Sequence, residues 1–465
     1  MLEFDITADQ LISALMHIAA SEPVCILDSC GVGHLGSHLL IAGIEPLKTI
    51  EISHNDPSET LSVLDEKLTA DLAAIFTLSY DFGRKMLGFG ETDKCITATE
   101  PDVCIAQFDA LIIHDYDTHK TFLTGNTNKF GALQNKLGSN ISDFRSQNSN
   151  SPAVVTSNFT KPGYLAAIES IKEHIRSGDT YQTNLTQQLT AHLPSDLTPQ
   201  IIFQRLRKDH PAPFSAFISR DGSTVISASP ERFFSTRCTS PHVSKGDTLT
   251  AASNEYVTHI TTSPIKGTRP RGTDPKQDEA LKHDLLTSPK DLAENTMIVD
   301  LLRNDLGRVC EYGSVNVEKL CDLEEHPTLF HLVSTVSGEL KKNTKPSGLL
   351  KALFPCGSIT GAPKISTMQI IDEIEPSPRG LSMGAIGYYV PSPKSEVPDK
   401  EFSSELGHGT WDLSVAIRTM VIRDETATFN VGGGIVIDSD PESEYAETLT
   451  KAKALLEAIG GQFTN

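Results

Sequence analysis

Lys266 stands in Ser263-Pro264-Ile265-Lys266-Gly267-Thr268-Arg269-Pro270-Arg271-Gly272, where proline and glycine recur so closely that neither a helix nor a central strand is expected to run through. The stretch reads as a loop that presents a lysine, with two arginines just behind it. Fixed cations beside an ammonium favour its neutral form, and a neutral amine near pH 7 is a nucleophile. A solvated basic turn is the competing reading.

Carboxylates supply a second group. Glu294 has Met297, Ile298 and Leu301 at i+3, i+4 and i+7, so on a helix from Ser288 to Gly307 it points with the apolar face. A carboxylate there needs a metal, or an arginine such as Arg303 or Arg308. Glu444, Glu447 and Lys451 follow one another at i, i+3 and i+7 along the last helix. Alone they are a solvated face. With Glu294 they make a sparse hard-cation site of the kind Mg²⁺ prefers, completed by water and a ligand carboxylate. Glu231 lies just past a strand end, where sites are often built, with an ion pair to Arg232 as the alternative. Arg418, in the otherwise apolar or small Leu413–Thr419, needs an anion, and Gly432-Gly433-Gly434 lets a ligand lie against the backbone. His331 heads a strand, where a hydrogen-bonded structural histidine is the commoner case.

The elements that must position these groups follow from periodicity. Residues 1–138 read as mixed short strands and helices, with strands at Val24–Ser29 and Phe108–His114 and a helix at Leu61–Leu72. A Ser/Asn-rich linker is expected over 139–158, and residues 159–463 form the region that carries the chemistry. Its first helix starts at Thr160, an N-cap with Pro162 in the first turn, and runs to Gly178. Strands are expected at Thr224–Ser229, His331–Val336, Leu413–Thr419 and Thr428–Val431, and one ends at Gly387-Tyr388-Tyr389. Pro355 to Lys364 opens a helix but is not a phosphate-binding P-loop, since Gly361 is not followed by Lys-Ser/Thr. Residues 391–409 read as an exposed insertion. Ser439-Asp440-Pro441-Glu442 opens the last helix.

Composition sets the bounds. The chain has 465 residues, 38% hydrophobic and 22% charged, which suits a globular body too large for one simple core. A net charge of -20 argues against nucleic acid, because phosphate neutralisation needs clustered cations. Eight cysteines without a C-x-x-C pair indicate neither zinc nor a disulfide framework. Acidic residues at the N-terminus and the lack of an 18-residue apolar run lead us to expect a cytoplasmic protein with no membrane association.

Taken together, several motifs resemble the chorismate-utilising enzymes. They are Ser229-Pro230-Glu231-Arg232-Phe233, Pro264-Ile265-Lys266-Gly267-Thr268, Asp291-Leu292-Ala293-Glu294-Asn295, His331-Leu332-Val333-Ser334, Gly357-Ser358-Ile359-Thr360-Gly361-Ala362-Pro363-Lys364, Ile417-Arg418-Thr419, Gly432-Gly433-Gly434 and Glu444-Tyr445-Ala446-Glu447-Thr448. They cover the chain from about Thr160 onward. Lysine at 266, where anthranilate and isochorismate synthases usually carry alanine, is similar to the aminodeoxychorismate synthase component I branch, as are Tyr80-Asp81-Phe82-Gly83-Arg84 and Ser177-Gly178-Asp179-Thr180-Tyr181-Gln182.

The resemblance implies an α/β (α+β) fold, a large two-sheet sandwich with outer helices, and chorismate with Mg²⁺ in its cleft. The implied reaction turns chorismate and ammonia into 4-amino-4-deoxychorismate, towards 4-aminobenzoate and folate. Lys266 is then the nucleophile at C2 and Glu231 the acid that protonates the departing C4 hydroxyl, with His331 and Thr360 near the reacting side. Glu294 and Glu447 hold Mg²⁺ with Glu444 close by. Tyr388, Arg418, Lys451 and the backbone of Gly432, Gly433 and Gly434 take the enolpyruvyl carboxylate, and Gly267 and Thr268 lie against the ring. Ammonia is expected from a separate glutamine amidotransferase subunit, since no Gly-x-Cys-x-Gly elbow occurs, and no pyruvate-eliminating lyase is expected either. Ser29, Pro213, Phe214 and Ser215 mark a tryptophan pocket, but Gly36-Ser37-His38 replaces the Tyr-Ser-Arg run of some relatives, which argues against bound tryptophan. Anthranilate synthase component I and a non-catalytic chorismate-binding relative stand as the alternatives.

Overall fold

The structure is a computed structural model that describes residues 1–32, 38–68, 71–90, 100–142, 152–239, 257–325, 329–391 and 409–463. Two large, almost wholly antiparallel sheets lie face to face, as expected. Among the described residues the first has 13 strands and the second 10. Their inner faces meet in one apolar layer, in which Cys25, Ile41 and Ala216 of the first sheet pack with Phe108, Ile386 and Tyr388 of the second. Strands buried on both faces read as continuous apolar runs, which is why alternation is weak here.

Each outer face is covered by helices whose apolar stripes complete a second core. Helices Ala8–Ile18, Pro199–Asp209 and Pro441–Ile459 cover the first sheet. Pro57–Lys67, Pro289–Gly307 and Pro346–Leu353 cover the second. The Thr160 helix forms as the sequence indicates, over Lys161–Ser177: the Thr160 hydroxyl accepts from the N–H of Gly163, and Gly178 closes it at φ +83°.

Residues 1–138 do not build a sheet of their own. Val24–Asp28 pairs with Phe214–Arg220, and Ala73–Leu78 pairs with Ala385–Val390, so both sheets are shared between the two halves of the chain. Within the expected linker, Ala153–Ser157 is a strand paired with Gln182–His192. The Tyr80-Asp81-Phe82-Gly83-Arg84 stretch, the helix Tyr80–Met86, pins the halves together. Asp81 accepts from the N–H of Gly380 at 2.8 Å, Arg84 binds Asp372 at 2.7 Å, and a Cβ on Gly83 would fall 2.3 Å from Pro355.

Three expected elements are redrawn. Phe108–His114 is two strands, Val103–Phe108 in the second sheet and Ala110–Asp115 in the first, because the chain crosses between sheets at Asp109 and apolar neighbours on both sides hide the break. The Leu61–Leu72 helix lies at Pro57–Lys67, one turn earlier, started by the Asp56 cap. Arg418 is not in a strand. It lies between Thr410–Val415 of the second sheet and Thr419–Arg423 of the first, at φ +47°, a left-handed conformation that costs a non-glycine residue about 1 kcal/mol. Of the expected insertion at 391–409, residues 392–408 lie outside the described residues, as do Gly36 and Ser37.

Candidate active site

Lys266 is not in a loop. It belongs to the edge strand Ile265–Pro270 of the second sheet, at a bulge where Ile265 faces Val333 but Thr268 faces His331. The extra residue turns the side chains off the ladder. Gly267 takes φ +84° there, and a Cβ on it would come within 3.0 Å of Asp291, so only glycine fits without strain. The Lys266 ammonium reaches across to donate to the main-chain oxygen of Ser358 at 3.1 Å.

The arginines behind it do not repel it as expected. Arg269 binds Asp284 at 2.6 Å and Asp291 at 3.1 Å, and Arg271 binds Asp278. The charged groups that act on one another around Lys266 are carboxylates: Glu231, Glu294 and Glu447.

Glu231 follows the strand Ser223–Ser229 and precedes Arg232–Thr239. Arg232 is not its partner, because that guanidinium forks onto Asp412 at 3.0 and 2.9 Å. The Glu231 Oε1 is buried with no hydrogen-bond partner. Burial pushes its carboxyl above the ordinary glutamate range, and Lys266, the Ser358 hydroxyl and the Ile265 backbone pull back without cancelling it. A carboxyl raised in this way keeps its proton to higher pH than a free glutamate, which suits an acid.

His331 lies one strand inward, buried, with its Nδ1 2.9 Å from the Thr268 hydroxyl. Thr360 is fully buried and donates its hydroxyl to the main-chain oxygens of Cys356 and Gly357, closing the turn Gly357–Ile359 that carries Ser358. Lys364, which opens the next helix Lys364–Ile374, is held by Asp305 of the helix Pro289–Gly307 at 2.7 Å.

The same helix projects Glu294. Arg303 pairs with Asp300 at the surface, and Glu294 Oε1 is buried with no partner. Burial raises its carboxyl; Lys266 and Lys290 oppose that, and Asp291 and Glu444 add to it. Glu444 and Glu447 come from the helix Pro441–Ile459, capped by Asp440. The Ser439 hydroxyl donates to Glu444 Oε1 at 2.6 Å, and Lys290 reaches the same oxygen at 3.2 Å. Lys451 binds Glu447 at 2.8 Å and the Gly432 oxygen at 3.1 Å. Burial would raise the Glu447 carboxyl, but Lys451 and then Lys290 and Lys266 outweigh it and hold it low. A Cβ on Gly433 would sit 3.4 Å from Lys451, 3.6 Å from Glu444 and 3.8 Å from Glu447. Of the three glycines, Gly433 faces this cluster; a Cβ on Gly432 or Gly434 would strike Leu185 or Gln182.

These carboxylates suit a hard divalent cation in donor type, and the bare, buried Glu294 Oε1 is an oxygen without another use. They are not preassembled around one point, for no three His, Cys, Asp or Glu side chains among the described residues stand close enough to share an ion. Lysines stand on two of the carboxylates instead.

Arg418 is half-buried, and burial works against its charge. No carboxylate pairs with it among the described residues, so its expected need for an anion stands. Tyr388, expected beside the substrate carboxylate, lines a cavity between the two sheets. Ser29, Pro213, Phe214 and Ser215, the expected tryptophan pocket, line it too. This space measures about 40 Å³, room for a few waters and not for an indole ring. Alternation sets the two rings apart: Tyr388 faces the first sheet, whereas Tyr389 packs into the outer core of the second.

Sequence reasoning passed over Ser358, which holds Lys266, and Lys290 and Ser439, which hold Glu444. Only Lys290 carried a signal, standing one helical turn before Glu294.

The family model described as chorismate binding enzyme matches residues 22–457. Aminodeoxychorismate synthase component 1 of Escherichia coli is 34% identical over 455 residues, covering 95% of this chain and 89% of that one. The aminodeoxychorismate synthase of Streptomyces pristinaespiralis is 41% identical over 298 residues, 64% of this chain. The match takes in 36% of that protein's length, so the chain spans only about a third of it. Anthranilate synthase component I from Streptococcus pneumoniae superimposes with a TM-score of 0.69 at 27% identity, over 91% of this chain and 93% of that one.

Proposed function

The chain belongs to the chorismate-binding enzymes, and from that membership we propose that it aminates chorismate at C4, giving 4-amino-4-deoxychorismate, with ammonia supplied by a glutamine amidotransferase subunit. The observation that carries this reading is Lys266, turned out of its strand by a bulge and set among Glu231, Glu294 and Glu447.

In the proposed sequence Lys266 reacts as the neutral amine, its third proton having passed to solvent: Nζ bonds to C2 as the two ring double bonds shift towards C4 and the C4–O bond breaks. Glu231 gives its proton to the departing hydroxide, which leaves as water. Ammonia then bonds to C4, the double bonds shift back, and the C2–N bond to Lys266 breaks. Glu294 and Glu447, with Glu444 beside them, would hold Mg²⁺, which when bound neutralises the ring carboxylate. Arg418 offers its charge to the other carboxylate.

Likeness to an anthranilate synthase keeps amination at C2 as the second reading, and Lys266 is the residue that separates them. Supplying nitrogen in two forms tests the partner assignment. Ammonium at alkaline pH should support turnover by this chain, because free NH₃ is the nucleophile, and glutamine alone should not. Glutamine-dependent product from the purified chain would overturn the need for a second subunit.

A further inference from the structure

The helix Pro289–Gly307 places two unlike groups on one face, Lys290 and, four residues on, Glu294. The Lys290 ammonium lies 3.2 Å from Glu444 Oε1. The partners differ in freedom. The Glu444 side chain is 5% exposed and fixed by Ser439, whereas that of Lys290 is 50% exposed and has solvent to swing into.

A divalent cation and an ammonium cannot both sit on Glu444 Oε1, because like charges a few ångströms apart in a partly dry cleft repel strongly. Their occupancy is exclusive. Glu294 Oε1 meanwhile stays buried and bare, an oxygen the lysine does not satisfy. We propose that Lys290 is a tethered counter-ion that holds the carboxylates in their metal-free arrangement and leaves Glu444 when a divalent cation binds. This rests on reading Glu294, Glu444 and Glu447 as the divalent site. It makes Lys290 a positioning residue that sets metal affinity by competing for a ligand.

The test is direct Mn²⁺ titration of the whole chain, without substrate, followed by the electron paramagnetic resonance signal of free Mn²⁺. Lys290→Met should tighten Mn²⁺ binding roughly fivefold or more, since the competitor is gone. Lys290→Arg, which keeps charge and grip, should not tighten it. Lys282→Met, which removes from the neighbouring helix Pro275–Thr287 a lysine paired with Glu325, controls for overall charge and should change little. Unchanged or weaker binding in Lys290→Met, or equal tightening in Lys282→Met, would overturn the counter-ion role alone. Failure of the wild type to bind Mn²⁺ in a manner lost in Glu294→Gln would overturn the divalent-site reading, and the counter-ion with it.

Discussion

Lys266 Nζ donates to the main-chain oxygen of Ser358 at 3.1 Å, across the gap between an edge strand and the turn Gly357–Ile359. That contact joins two segments 92 residues apart, and the Ser358 side chain also acts on the Glu231 carboxyl, so one residue stands between the proposed nucleophile and its proposed acid.

In the proposed reaction Glu231 must be protonated to release the hydroxyl as water. Its raised carboxyl predicts that the protonated form persists to higher pH than in a free glutamate, and that at a fixed concentration of free NH₃ turnover falls as pH climbs through that raised value. Glu231→Gln should lower kcat by about 10²–10⁴ and flatten that limb of the pH profile. An unchanged limb in the variant would assign the titration elsewhere.

Removing a charged oxygen from a sparse site costs affinity. Glu294→Gln and Glu447→Gln should each weaken Mn²⁺ binding by roughly tenfold or more and make turnover fall with it. Calorimetry on the two variants, with wild-type affinity as the contrary result, decides the ligand assignment.

Asp81 is buried, and burial pushes its carboxyl up to about 6, against the pull of the Gly380 N–H, Arg84 and Arg379. A carboxyl whose folded pKa is raised gives stability that is present below its unfolded value and lost as pH rises through the folded one. Asp81→Asn should therefore gain on wild type between about pH 4 and 6, by on the order of 2–3 kcal/mol. Denaturant midpoints across that range would show a widening gap, and a constant gap would contradict the shift.

Much of this was legible in the sequence, and the reasons for the rest are physical. Glu294 could be placed because a helix fixes its face at once: three apolar neighbours at i+3, i+4 and i+7 reveal the direction. Lys266 could be singled out but not placed. A bulge is a register slip between two strands, and the partner strand Leu329–Glu339 begins 59 residues beyond Pro270. Arg418 looked like a strand residue because the strands on either side belong to different sheets, and a crossing leaves no break in an apolar run. Ser358 holds Lys266 through its main-chain oxygen, which every residue type possesses, so composition gives no sign of it.

The product formed from chorismate, ammonia and Mg²⁺ tests the central claim most directly. If Lys266 bonds to C2, nitrogen enters only at C4, the enolpyruvyl group stays on the ring, and mass spectrometry finds 4-amino-4-deoxychorismate, with Lys266→Ala losing that product. Fluorescent anthranilate as the main product, formed at the same rate by Lys266→Ala, would contradict the account and leave C2 amination as the activity of this chain.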